Sequence, residues 1–425
     1  MPHFPPVVVL GLEDVWAGLT VVRELGEHGV PVHGIGRWRS GALYSRWLTR
    51  GYLAPASEAG LVELLNQIAQ REGAPFLIAV AEQDIVFARR AADAGQLGRL
   101  RPLVPSLDKL ELVNNKAATL RIAQEVGVPF PWTWHPQNAD EIAYPPSELT
   151  FPCILKFPDK SKVKPLLARH GLVLAKTHYC YDKADLQRAL AVYAHAGCIP
   201  LVQSYCRGSG LSYALFMHGG EAILRYSYRR LGDWPPEGGM STVVESLPID
   251  DSDALLAKSE ALLKRIEWEG VAEVEYRHDP ATGSAMFMEI NGRFWRSQPL
   301  AYYAGARFGW LTYAVLGLGK TVHPPPPRPG LVCVSATAET QRVLTLLFRP
   351  GRVQDRDLKF DRVAEVARYL SRLLDPRTRY YLFSWKDPIP SLSEMVLKTR
   401  HALGLLLKIA VRRLRAGTWQ RSVPH

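Results

Sequence analysis

The chain has 425 residues, 47% of them hydrophobic and 22% charged, with a net charge of +11 at pH 7. That composition excludes a disordered or fibrous protein, bounds the chain at two or three domains, and suits anionic partners such as nucleotides, nucleic acid or an anionic membrane surface. Five cysteines, at 153, 180, 198, 206 and 333, form no Cys-x-x-Cys pair. They argue against a disulfide framework or a zinc site and for a reducing, cytoplasmic compartment. The opening Met1-Pro2-His3-Phe4-Pro5-Pro6 lacks the basic start of a signal peptide, and no apolar run reaches the ~18 residues that span a bilayer.

The first 110 residues alternate strands and helices. Val7 to Leu10 reads as a buried strand followed by Gly11 and a helical stretch from Ala17 to His28. Val30 to Ile35 and Phe76 to Ala81 read as further strands, with amphipathic Leu61 to Arg71 between them. This alternation predicts an open parallel sheet covered on both faces. A dinucleotide-binding domain is the obvious rival. However, the first turn is Gly11-Leu12-Glu13-Asp14, not Gly-x-Gly-x-x-Gly, and Arg37 stands where an acid for the ribose is expected.

From Asn114 the character changes. Asn115 and Lys116 open a helix that runs to Val126, stopped by Gly127-Val128-Pro129. Phe151 to Phe157 is an apolar strand holding one cation, Lys156, which must find an anion or snorkel out. Pro158 to Ala175 reads as a loop with Lys160, Lys162, Lys164 and Gly171, and Lys176 begins another strand-like segment. Leu201 to Gly208 reads as a strand ending at a glycine turn. Arg225, Arg229 and Arg230 then precede a small-residue loop, Gly238 to Thr242. Arginine suits bidentate carboxylate binding and a solvated surface equally.

The sharpest pattern is Met288-Glu289-Ile290-Asn291-Gly292-Arg293, with Glu275 fourteen residues before Glu289. In a strand Glu289, Asn291 and Arg293 share one face. Asp279 to Ser284 is a turn by composition, so Val271 to His278 and the Met288 segment form a hairpin that places residue 275 opposite 289. Two carboxylates about 5 Å apart at Cβ repel unless a cation lies between them. Glu, Glu and an Asn carbonyl are hard oxygen ligands of the kind Mg²⁺ uses while it also holds phosphates. Glu273 shares the face of Glu275 and is the rival first ligand.

This arrangement resembles the ATP-grasp superfamily of carboxylate–amine ligases (D-aspartate ligase and the ATP-binding domains of carbamoyl-phosphate synthase among them), over roughly residues 1 to 330. The resemblance implies an α/β and α+β architecture: an N-terminal α/β domain (1–110), and an ATP-grasp domain (111–323) with a small lobe to about residue 205 and a large lobe to 323. It implies ATP with Mg²⁺ or Mn²⁺ as cofactors, and Glu275, Glu289 and Asn291 as metal ligands. Glu275 is preferred over Glu273 because it directly precedes an aromatic, Tyr276. Arg293 would stabilise an acyl phosphate, and Lys116, Lys156 and Lys176 would hold phosphates. Gln203, Ser204, Tyr205 and Cys206 would form the adenine hinge, with Ser204 in place of the usual Glu. A flap over the phosphates would occupy 158–175, although the family's glycines are replaced by lysines. Arg225, Arg229, Ser241 and Thr242 match the acceptor region.

Pro324 to Pro329 reads as a stiff linker (324–330) closing that core. A C-terminal extension (331–425) follows, with a strand at Leu331 to Val334 and a basic amphipathic stretch at 392–415. Residues 395–415 carry Lys398, Arg400, Lys408, Arg412, Arg413 and Arg415 and no acid. That stretch suits peripheral contact with an anionic membrane, such as the inner membrane surface, or packing on the protein's own core. The expectation is a cytoplasmic ligase, dimeric as a homo-oligomer, that joins small-molecule carboxylate and amine substrates without nucleic acid. Its rivals are a catalytically silent ATP-binding scaffold and a nucleic-acid-binding protein; for the second, aromatics are not interleaved with the basic residues in a recognisable module.

Overall fold

A computed structural model describes residues 4–158, 160–173, 178–356 and 358–400. Lys176 and the part of the basic stretch beyond residue 400 lie outside the described residues. Among the described residues no helix is long and apolar enough to cross a membrane.

The predicted N-terminal alternation is present. Strands β1 (Val7–Leu10), β2 (Val32–Gly36), β3 (Arg50–Leu53), β4 (Phe76–Ala79) and β5 (Arg101–Pro102) form a parallel sheet in the order β3-β2-β1-β4-β5. Helices α1 (Val15–Glu27), α2 (Glu58–Glu72) and α3 (Glu82–Asp93) cover it. Asp14 caps α1 by accepting from the Ala17 N–H, and Ser57 caps α2 through Gly60. The β1 run Val-Val-Val-Leu is wholly buried, as a parallel strand covered on both faces requires.

Helices α4 (Leu107–Asn114) and α5 (Lys116–Glu125) lead into a small four-stranded sheet. Its strands are β6 (Thr133–Trp134), β7 (Cys153–Lys156), β8 (His178–Cys180) and β9 (Leu201–Ser204), in the order β6-β9-β7-β8. Helices α6 (Ala139–Ala143), α7 (Lys160–Arg169) and α8 (Lys183–His195) accompany it, and this lobe has its own core around Leu155, Leu167, Leu190 and Val202. The expected flap loop is thus largely helix. Once Gly171 is set aside, 160–169 holds no glycine, and its Val163 and Leu167 are buried at helical spacing.

The large sheet comprises β10 (Ser209–His218), β11 (Glu221–Trp234), β12 (Met240–Leu247), β13 (Gly270–Asp279), β14 (Ser284–Asn291), β15 (Val332–Val334) and β16 (Thr378–Tyr380). Its order is β14-β13-β10-β11-β12-β15-β16, with helix α9 (Ala254–Arg265) linking β12 to β13. The segment after the prolines is therefore part of the sheet and not an appendage: β15 pairs with β12, and β16 runs parallel to β15. Helices α12 (Ala336–Phe348) and α13 (Arg362–Leu374) pack beside them. Residues 389–400 are helical and reach back to the N-terminal domain. There Asp387 accepts from Arg23 Nε (3.0 Å) and from Ser45 (2.7 Å), and Glu394 accepts from the Gly41 N–H (2.8 Å).

Helices α10 (Gln298–Ala304) and α11 (Phe308–Leu311) contact α1, so one apolar core runs from the parallel sheet into the large sheet. Glu24 is buried in that seam, accepting from the Gly309 (2.6 Å) and Trp310 (3.1 Å) N–H groups. Burial pushes its carboxyl up to about 7, against the pull of Arg307. A carboxyl raised in the folded state stabilises most below its unfolded value and loses that contribution as pH rises through its folded value. The Glu24→Gln variant should therefore gain stability relative to the native chain between about pH 4.5 and 7, by up to about 3 kcal/mol. Parallel denaturation curves across that window would show a flat difference if Glu24 is ordinary.

Candidate active site

The hairpin forms in the expected register. Glu275 pairs with Glu289 and Glu273 with Asn291, with a bulge just after Glu275. Continuing across the sheet, Ser212 lies opposite both Glu275 and Tyr228, and Ala214 opposite both Glu273 and Tyr226. The acidic face of β13 is thus also the face of Tyr226, Tyr228 and Arg230 on β11.

That face forms one wall of a cleft whose other wall is the small sheet. The lining includes Lys116, Ile154, Lys156, Gln203, Ser204, Tyr205, Cys206, Arg230, Glu275, Met288 and Glu289. Residues from six separate stretches of sequence converge here. Lys116 opens α5 immediately after its cap Asn115, and its ammonium bonds Glu289. Arg230 Nη2 donates to Glu275 Oε2 at 2.6 Å. Each of the facing carboxylates therefore holds a protein cation. Lys156 Nζ lies 3.6 Å from Met288 Sδ, on the cleft side of β7. Gly208, just after the end of β9, has φ +99, and a side chain there would run into the His278 carbonyl.

Glu273, the rival first ligand, is 2% exposed and outside the cleft lining. It accepts from the Tyr228 hydroxyl and from Asn291 Nδ2 at 3.0 Å. Burial, and then repulsion from Glu275, push it up to about 8. Asn291 Nδ2 also donates to Glu275 Oε1 at 2.6 Å, and its Oδ1 accepts from Arg293 Nη2 at 3.2 Å. The amide thus positions both β13 carboxylates, and ligation through Oδ1 would need a half turn of the group. Arg293 also donates to the Phe294 carbonyl (3.1 Å). It borders a second cavity with Arg101, Val104 and Glu269, between the parallel sheet and the hairpin.

Besides Asn291 and Arg293, which do not line the cleft, four further expected residues are not brought to it. Arg225 and Arg229 pair with Leu215 and Leu211 in the sheet register, on the opposite face. There Arg225 is held by Glu260 of α9, and Arg229 Nη2 lies 2.7 Å from Glu245. Thr242 donates to the buried Glu339 carboxylate at 2.5 Å, and Ser241 lies 3.4 Å from the Tyr381 hydroxyl. Both tie β12 to the C-terminal segment. Arg230 is the residue that sequence reasoning passed over. Its signal was parity: it shares a strand face with Leu224, Tyr226 and Tyr228, whereas Arg225 and Arg229 do not.

Several solved structures resemble the chain. The biotin carboxylase domain of Hydrogenobacter thermophilus 2-oxoglutarate carboxylase, solved with MgADP and bicarbonate, matches at TM-score 0.59 and 15% identity, covering 78% of this chain and 74% of that one. N5-carboxyaminoimidazole synthetase from Staphylococcus aureus matches at 0.59 and 12%, covering 82% and 87%. The chain has the ATP-grasp fold. L-amino acid ligase from Bacillus licheniformis, another ATP-grasp protein, matches at 0.54 and 14%, covering 74% of each chain. No protein-family model and no curated protein matches the sequence.

The ATP-grasp cleft can be tested for a divalent cation on its donors. Among the described residues no group of three or more His, Cys, Asp or Glu could hold a metal. The cleft offers two facing carboxylates, each already drawn to a positive group. Two carboxylates fit a Mg²⁺ that keeps waters and substrate phosphates as its other ligands, and do not fit an all-protein cage.

Proposed function

We propose that the protein is an ATP- and Mg²⁺-dependent ligase that activates a carboxylate as an acyl phosphate and joins it to an amine. The observation that carries this reading is the Glu275–Glu289 pair, in hairpin register across a cleft from Lys156 and the 203–206 strand end. In this reading, Glu275 and Glu289 would hold Mg²⁺, which would supply charge neutralisation at the transferring phosphoryl group. Lys116 and Lys156 bind phosphate oxygens, and backbone groups of Ser204, Tyr205 and Cys206 read the adenine edge. Arg230 holds Glu275 in place. Arg293, at the boundary with the second cavity, would meet the acyl phosphate. A substrate carboxylate oxygen bonds the γ-phosphorus while the bond to ADP breaks. The amine then attacks the acyl carbon, phosphate leaves, and the amine gives up a proton.

The protein incubated with ATP, Mg²⁺ and a panel of acids should release ADP and phosphate only when a carboxylate is present. Hydroxylamine should trap the activated acid as a hydroxamate. AMP as the carboxylate-dependent product would replace this mechanism with adenylation, and nucleotide binding with no turnover on any acid would favour a silent scaffold.

A further inference from the structure

A cavity of about 380 Å³ lies away from the nucleotide cleft, where the C-terminal segment closes over the start of α1 and the end of the hairpin region. Its volume falls within the ordinary range of small-molecule sites. Its walls are mainly apolar and aromatic, including Trp16, Met240, Tyr381 and Phe383. Set into them is Arg296, whose guanidinium carbon stacks 3.4 Å from the centre of the Trp16 ring. Arg296 makes no hydrogen bond or ion pair with another described residue, and its Nε is enclosed without a partner. Burial outweighs the attraction of Asp14 and Tyr381, so the guanidinium is held below its usual range.

Arg296 is half-buried, and a guanidinium partly withdrawn from water beside aromatic surface, with its Nε shut in and unpaired, is costly unless an anion completes it. Two further charged groups face the cavity. Lys398 lies 3.4 Å from Glu394, and the other oxygen of Glu394 is taken by the Gly41 N–H. That carboxylate makes a second negative charge in the cavity unfavourable, so the site suits a monoanion. The first turn of α12 also opens here, and Ser335 does not cap it. Its donors add to Arg296 but do not replace it.

We infer that this cavity binds a small monocarboxylic acid with an apolar or aromatic body, the carboxylate on Arg296 and the body against Trp16, Met240 and Phe383. The site goes beyond the ligase reading and does not depend on nucleotide.

The test is calorimetry on the full chain without ATP, using 3-phenylpropionate, its amide, its alcohol and inorganic phosphate. The acid should bind, with the amide and alcohol at least about tenfold weaker, as loss of a charge-assisted pair requires. Arg296→Gln should weaken the acid to the level of the amide while leaving the amide unchanged. Equal binding of acid and amide, tighter binding of phosphate, or no binding at millimolar concentration would each overturn the inference. The wild-type ligand series decides the matter even if Arg296→Gln fails to fold. A failure here leaves ADP formation untouched, so it is distinguishable from a failure of the ligase reading.

Discussion

Replacing Glu289 by Gln should lower carboxylate-dependent ADP release by about a hundredfold or more. That corresponds to about 3 kcal/mol, the scale of one electrostatic element in a charged transition state. Gln keeps the shape and one oxygen, but halves the formal charge of the facing pair and loosens the bond to Lys116. Because Glu289 is about one-third exposed, the folding free energy should move by less than about 1 kcal/mol. The measurement is ADP release with an acid found by hydroxamate trapping, alongside a thermal melt. Near-normal turnover in a normally folded variant would remove Glu289 from the metal site.

Arg230→Met should instead be costly to the fold itself. The guanidinium sits between Glu275 (2.6 Å) and Asp233 (3.8 Å), largely enclosed, within reach of the buried Glu273. Removing one partner of a buried pair leaves the other uncompensated, which typically destabilises by about 3–5 kcal/mol. Here the effect is compounded, because Arg230 also offsets the repulsion that Glu275 exerts on the buried Glu273 carboxyl. Adding Glu275→Gln to the variant should recover most of the loss, giving a double-mutant cycle with a large coupling. Urea denaturation showing a loss under about 1 kcal/mol, or no recovery in the double variant, would mean that Arg230 is not the counter-charge of this face.

The parts of this protein legible in its sequence were those with local periodicity. The β1 run, the capped helices and the Asp279–Ser284 turn are each determined by neighbours a few residues away, so their elements followed. The 275–289 register was legible for the same reason, since one turn fixes it. Arg230 was legible only in part: strand parity groups it with Leu224, Tyr226 and Tyr228, but pairing with β10 is what brings that face to the acids. The role of Asn291 needed hydrogen-bond directions, which residue type alone does not give. The lysine-rich segment before Gly171 was misjudged as loop because its apolar residues are few, and the burial of Val163 and Leu167 decides the helix.

The weaving of β15 into the large sheet bears on how this protein can be dissected. The proline run invites a cut at residue 323, as though a self-sufficient catalytic unit ended there. A chain cut at that point loses the partner of β12 and presents a raw edge of unpaired N–H and C=O groups, the surface through which strands recruit foreign chains. It also strands Thr242 without Glu339, and Arg23 without Asp387. Such a fragment is expected to sediment as aggregate where the full chain stays in solution, and a well-behaved, cooperatively melting fragment would show that the sheet tolerates the open edge. What the sequence punctuates as a boundary is, in the folded molecule, a seam sewn shut from the far side.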